Sequence, residues 1–315
     1  MACKHAQHAV TECGGCPLAS SSRAAPCANA AAVQPHLFCH SAAGLQRGNI
    51  GNMRILILHN EYQHRGGEDT VVSAETALLR SRGHQVQQYT RHNDEIAALG
   101  PARAAMQTVW SGRTARDLGA LIESFKPDLV HAHNTFPLIS PSAYWTAAKA
   151  QVPLVQTLHN FRLLCPQAMF LRDGRVCEDC LGHVPWRGAA RGCYRGSKAQ
   201  TAVLAGAISL HRSVGTYHHK VARYIALNEF CRRKFIEGGL PAERIAVKPN
   251  FVDAGPLGDK HPRAGFLFVG RLSGEKGIGV LAQASSQLRD VPTRVVGSGP
   301  EAAVLQQCNS IRMLG

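Results

Sequence analysis

Residues Phe266–Gly277 read FLFVGRLSGEKG, and their reading decides the fold. Phe266–Val269 is a short apolar run, the mark of a buried strand. Gly270 permits a tight turn, Arg271 and Lys276 fall in the loop behind it, and Gly277 opens the next helical pattern. A strand, a glycine turn and a helix start make up one βα unit of a parallel sheet. Two cations beside a helix N-terminus, at the carboxyl end of a strand, suit an anion such as a diphosphate. The same residues also allow an ordinary strand–turn–helix connection carrying two solvated charges.

The pattern extends to both sides. Downstream, strand Thr293–Val296 leads into a second glycine turn, VGSGPE (Val296–Glu301), then helix Ala302–Gln307 and strand Ile311–Leu314. Upstream, 254–264 is rich in Gly and Pro and reads as a linker. Before it, 53–253 alternates strands and helices, beginning with Arg54–Leu58, whose Ile and Leu run suits a parallel strand covered on both faces. Asp69 or Thr70 offers a cap for a helix running to Arg82, with Gly83 as its stop. A single helix is expected over Ala202–Tyr217. The fold class is α/β, with two Rossmann-like domains at 53–253 and 265–315, the second incomplete. Residues 1–52 are rich in Ala, Ser, Gly and Cys without periodicity and read as a disordered extension. Their Cys13–Cys16 pair has no second C-x-x-C pair to complete a metal pattern.

Composition narrows the function. Hydrophobic residues make up 45% of the 315 and aromatics only 6%, which fits a globular α/β chain better than an aromatic-rich β sandwich. The formal net charge of +14 draws the protein to polyanions, either phosphorylated ligands or an anionic membrane face. The charge is dispersed and not interleaved with aromatics, so nucleic acid is not expected as a partner. No apolar run reaches the roughly 18 residues of a spanning helix, and no secretory leader is expected, which places the protein in the cytoplasm. Its 11 cysteines are then reduced thiols or metal ligands.

Three groups of residues carry chemistry. Gly66 and Gly67, within QHRGGEDT, follow the first strand and let the backbone approach a ligand. The segment is not a G-x-G-x-x-G fingerprint, so a nicotinamide cofactor is disfavoured. His131, His133 and His159 fall at or just beyond strand ends, where α/β ligands bind. Cys165, Cys177, Cys180 and Cys193 lie in an irregular insert poor in apolar residues, with a central C-x-x-C flanked by single cysteines. That spacing suits a structural zinc site, with four thiolates leaving no open catalytic position. Free thiols, or three cysteines completed by His183, are the alternatives.

The ordered segments MRILILHN, QHRGGEDT, PDLVHAHN, PLVQTLHN, VKPNFVD and FLFVGRLSGEKG resemble glycosyltransferase family 4, of GT-B fold, from Met53 to the C-terminus. The resemblance implies transfer of a sugar from a UDP- or GDP-sugar to a lipid-linked or polysaccharide acceptor in cell-envelope or capsule synthesis. It also implies retention of anomeric configuration, no catalytic cofactor, and peripheral contact with the inner membrane face. His159 matches the histidine that contacts the donor sugar. Gly66 and Gly67 match the loop lining the cleft, Asn250 is a cleft residue, and Arg271 and Lys276 match the diphosphate cations. The family's Glu-x₇-Glu pair, which anchors ribose and sugar, is not found, so the resemblance implies a C-terminally truncated and impaired enzyme. A catalytically inactive, zinc-stapled binding protein is the alternative.

Overall fold

The computed structural model describes residues 51–63, 66–252, 255, 264–288 and 290–315. The extension up to residue 50 and most of the linker lie outside the described residues.

The first half is built on six parallel strands. β1 (Arg54–Glu61) is followed by α1 (Gly67–Ser81) and β2 (Gln85–His92). Three helices come next, α2 (Glu95–Leu99), α3 (Pro101–Val109) and α4 (Gly112–Phe125), before β3 (Leu129–Ala132), α5 (Ser142–Lys149) and β4 (Leu154–Leu158). The cysteine-bearing insert holds a small hairpin, β5 (Leu171–Arg172) with β6 (Arg175–Val176), and α6 (Trp186–Arg191). Then follow α7 (Lys198–Ser213), α8 (Thr216–His219), β7 (Arg223–Ala226), α9 (Glu229–Glu237) and β8 (Ile245–Val247). The strand order is β2-β1-β3-β4-β7-β8, every neighbouring pair parallel. The chain leaves β1 toward one edge to form β2 and returns on its other side to form β3. That reversal opens a crevice at the carboxyl ends of β1 and β3, where open α/β sheets bind ligands.

β1 is covered on both faces. Leu56 and Leu58 join a core cluster with Val130, Leu118 and Tyr144, while Ile55 and Ile57 pack against Val72 of α1 on the opposite side. Side-chain hydroxyl and amide caps start several helices as the sequence types require: Ser111 accepts from the Thr114 amide, Ser197 from Gln200 and Asn228 from Cys231.

The second sheet has order β11-β10-β9, from β9 (Phe266–Val269), β10 (Thr293–Val296) and β11 (Ile311–Met313), again parallel. α10 (Ile278–Gln287) and α11 (Ala302–Gln306) connect them. Its core is Leu272, Ile278, Ala282, Val295 and Leu305. The glycine turns have steric causes. A Cβ at Gly297 would overlap the Gly270 carbonyl, and one at Gly299 would overlap that of Leu272, so the loops after β9 and β10 touch only because both residues are glycine.

Four expectations need correction. Phe266–Val269 forms a strand but not a buried one: Phe266, Leu267 and Val269 are exposed, because β9 is an edge strand paired only with β10 among the described residues. α1 is capped from Gly66, not from Asp69 or Thr70. Asp69 sits in the first turn and takes the Gly66 amide on its Oδ2 at 2.6 Å. The helix expected over Ala202–Tyr217 is two helices, split where Gly215 takes φ +70. The insert, expected to be poor in apolar residues, still places Phe170 and Leu181 in the main cluster.

Candidate functional site

The crevice at β1 and β3 is filled by histidines and carboxylates. β1 supplies His59, β3 supplies His131 and, one residue past its end, His133, and β4 is followed by His159. Opposite them, α1 presents Glu68, Asp69 and Glu75. The helical period puts Glu68 and Glu75 seven residues apart on one face, turned toward the strand ends. Lys248 arrives from beyond β8.

Hydrogen bonds join these groups. His59 Nε2 and Asp69 Oδ1 are 2.7 Å apart, and the same carboxylate holds the Gly66 amide. Glu68 accepts from Tyr62 Oη and from Asn160 Nδ2, both at 2.8 Å. His131 Nε2 meets Thr157 Oγ1 at 2.9 Å. Glu75, only 6% exposed, has Lys248 Nζ on Oε1, while His133 Nε2 and His131 Nδ1 lie 3.5 and 3.8 Å from Oε2. His133 Nδ1 is 3.0 Å from His159 Nε2, and their rings stack at 5.2 Å.

Burial sets the protonation. It pushes His131 down to about 4, against the pull of Glu75, and it lowers His133 and His159 as well. All three rings are therefore neutral near pH 7. A proton on His133 Nε2 faces Glu75 and leaves Nδ1 to accept from His159 Nε2–H. The other nitrogen of half-buried His159, Nδ1, then carries a lone pair. That assignment follows from the network and satisfies most of its atoms. His159 also lines a cavity of about 60 Å³ with His133, Asn134, Phe136, Gln156 and Arg162, where the buried Oε1 of Gln156 has no partner among the described residues.

Ligand atoms of Glu75, His131 and His133 fall within 4.8 Å of one another, a donor set a divalent cation can use. Lys248 already neutralises the carboxylate, and a second cation would be repelled by its ammonium. In this structure the trio is a charge-compensated network, with Lys248 on Glu75.

The remaining expected residues sit as follows. Gly66 and Gly67 stand at the start of α1 beside this cluster, where neither has positive φ and an added Cβ would find open space or ordinary contacts. The Gly66 amide is committed to Asp69 and is not free for a ligand. Asn250 is exposed, two residues past Lys248. Arg271 and Lys276 are exposed on the second sheet, in the loop and the following 3-10 turn Gly274–Lys276. Arg271 is not a free cation. Its guanidinium contacts Glu275 and Ser273. Glu275 in turn accepts from Ser273 Oγ at 2.6 Å, and this bond with Arg271 holds its carboxyl down at about 2. Cys165, Cys177, Cys180 and Cys193 converge on one cavity in the insert.

Sequence reasoning missed Glu75, Asp69, His59 and Lys248. A signal existed for the first two, since acidic residues recur on the strand-facing side of an otherwise ordinary amphipathic helix.

A second cavity of about 440 Å³, mostly apolar, shares Thr108, Phe136 and Leu204 with the histidine cavity. It runs between α2–α3 and α7, past Pro101, Ala104, Tyr194 and Val203. No helix among the described residues is long and apolar enough to cross a membrane.

Among curated proteins none matches this chain. Solved structures similar to it include Anabaena HepE in complex with UDP, at 17% identity, covering 84% of this chain and 69% of that one, with TM-score 0.49. The lipopolysaccharide outer core galactosyltransferase WaaB in its apo form follows at 15% identity, coverage 84% and 68%, TM-score 0.44. The UDP-GlcNAc 2-epimerase from Neisseria meningitidis bound to UDP-GlcNAc is similar at 11% identity, coverage 83% and 72%, TM-score 0.41. At these values the likenesses say nothing of substrate or mechanism. The family model described as Glycosyltransferase Family 4 matches residues 65–255, more than half of the chain and the whole of the histidine–carboxylate cluster apart from His59 and the neighbouring Tyr62, and this chain belongs to that family.

Proposed function

We propose that the chain transfers a sugar from a UDP- or GDP-sugar to a lipid-linked acceptor, with retention of anomeric configuration and no catalytic metal. The observation that carries this reading is the array of His159, His133 and Glu75 at the crevice of a family 4 sheet. Transfer of a glycosyl group needs hydrogen-bond acceptors that orient the reacting hydroxyls, and donors that stabilise the leaving diphosphate. His159 Nδ1 provides the acceptor and positions a sugar hydroxyl near the reacting carbon. Arg271 and Lys276 stabilise the departing diphosphate, for which Arg271 must exchange Glu275 for phosphate oxygens. Gly66, Gly67 and Asn250 line the cleft around the sugar.

Of the two acceptor classes, the apolar cavity favours the lipid-linked one. A lipid chain fits an apolar recess whose wall is shared with the polar histidine cavity, and a free polysaccharide has no use for it. Contact with an anionic inner membrane face accords with the excess of basic residues. Envelope or capsule glycan synthesis is the setting such an acceptor implies.

The test is a transfer assay with labelled UDP- and GDP-sugars, offering in parallel a polyprenyl-diphosphate-linked saccharide in detergent and the same saccharide without the lipid. Label moving to the lipid-linked acceptor, at a KM well below that for the free saccharide, supports the reading. Equal use of both acceptors overturns the lipid assignment. Acceptor binding without transfer from any donor would leave a binding protein in place of an enzyme.

A further inference from the structure

The insert between β4 and α7 has no role in the chemistry above, yet it gathers four thiols. Cys165 closes a turn after β4, its amide donating to the Phe161 carbonyl at 2.8 Å. Cys177 directly follows β6 and donates to the Phe170 carbonyl at 2.8 Å. Cys180 lies in the next turn. Cys193 follows α6 and donates to the Gly188 carbonyl at 3.1 Å, just after Gly192 reverses the chain at φ +68. Four different turns thus deliver four sulfurs to one cavity of about 20 Å³, lined besides by Pro166, Gly188, Arg172 and Arg191.

The size and charge of this cavity select the occupant. It has room for an ion but not for an organic ligand. All four cysteines are free thiols, two buried and two half-buried, so no disulfide consumes them. A tetrathiolate around a divalent ion carries two net negative charges, and Arg172 and Arg191 stand at its wall, each shared with a carboxylate, Asp173 and Asp179. His183 opens instead into a separate recess with Glu178, Asp179 and Arg187, which removes it as a fourth ligand. No three of the sulfurs lie within 4.8 Å of one another, so the thiols ring the cavity without closing on it. A bound ion would draw them in and release their protons.

We propose that Cys165, Cys177, Cys180 and Cys193 bind one zinc ion as a closed tetrathiolate site, and that this ion fastens the Arg162–Tyr194 clamp beside the histidine cavity. The clamp is tied to the ligands through the chain. Arg162 precedes Cys165 by three residues, and Tyr194 immediately follows Cys193. The Arg162 guanidinium stacks on the Phe136 ring at 4.8 Å and on the Tyr194 ring at 5.1 Å, and donates to the Pro166 carbonyl. Arg162 faces the histidine cavity and Tyr194 the apolar one. Closing the metal site fixes both ends of this wall at once. Zinc is the ion because four thiolates in a redox-silent tetrahedron suit it, and the ring leaves no open position for catalysis. The site does not rest on the transferase reading.

The test is metal content of the full chain purified without chelator, measured also with Cys13→Ser and Cys16→Ser in place so that the N-terminal pair cannot contribute. About one zinc per chain is expected in both. Cys180→Ser should lose that zinc, while Cys231→Ser, on α9, should keep it. Should Cys180→Ser fail to fold, the unaltered chain still decides. Cobalt exchanged into it should show the d–d absorption of a tetrathiolate, and chelation should raise hydrogen exchange at 162–194 while β1 and β3 stay protected. Metal-free protein with all four thiols reactive overturns the proposal, as does a disulfide among them or iron in place of zinc.

Discussion

At the scale of residues, three neutral histidines and one buried glutamate carry the proposed chemistry. In the proposed mechanism His159→Ala removes the acceptor at the reacting carbon, and kcat should fall by about 100-fold or more with UDP affinity nearly unchanged. Transfer kinetics beside calorimetric UDP binding check this, and an unchanged kcat would end the assignment. Burial also makes these rings acid-sensitive. His131 stays neutral down to about pH 4 in the fold but takes a proton near pH 6.5 once unfolded, so the unfolded chain binds more protons in that window. Stability should therefore be full above about pH 6.5 and decline as pH falls toward 4. Melting temperatures at stepped pH should show this slope, and His131→Gln should flatten it. The sequence marked the three histidines by their place at strand ends. It could not show that His133 sits between His159 and Glu75, because those three residues lie on three different elements and meet only when the sheet forms.

At the scale of elements, α1 and the loop after β9 carry the informative details. Asp69 satisfies the Gly66 amide at the start of α1 and anchors the otherwise buried His59 ring. Asp69→Ala should cost about 1–2 kcal/mol in chemical denaturation, the range for a lost helix-start acceptor. In the second loop, Glu275 pairs with Arg271, which the proposed mechanism assigns to diphosphate. Glu275→Gln should tighten UDP binding a few-fold, up to roughly fivefold for an exposed ion pair, and Arg271→Ala should erase the gain. Weaker UDP binding in Glu275→Gln would show instead that the carboxylate holds Arg271 in its binding position. Strand and helix periods were legible through most of the chain because each βα unit repeats the same local grammar. The short α2 and α3 were not, since Ala-rich turns without side-chain caps carry little local signal.

At the scale of the whole molecule, the apolar cavity between α2–α3 and α7 is the feature with most consequence. Ala104→Trp should obstruct it and raise KM for a lipid-linked acceptor, leaving donor hydrolysis or UDP affinity as it was. A proportional loss for lipid-free acceptor would place the defect in the fold, not in the recess. The strand order that creates the crevice at β1 and β3 is likewise a property of the assembled sheet.

The sequence by itself determined the α/β class, nearly every strand, the glycine turns of the second sheet and the family, because these depend on local periodicity, on residues without a Cβ and on ordered motifs. The tertiary structure alone decided that β9 is an exposed edge, that Glu75 and Lys248 complete the histidine array, that Glu275 occupies Arg271, and that four cysteines from four turns face one cavity. Each of these depends on which distant segments the sheet brings side by side, and a pairing across tens of residues leaves no mark in the local pattern of either partner.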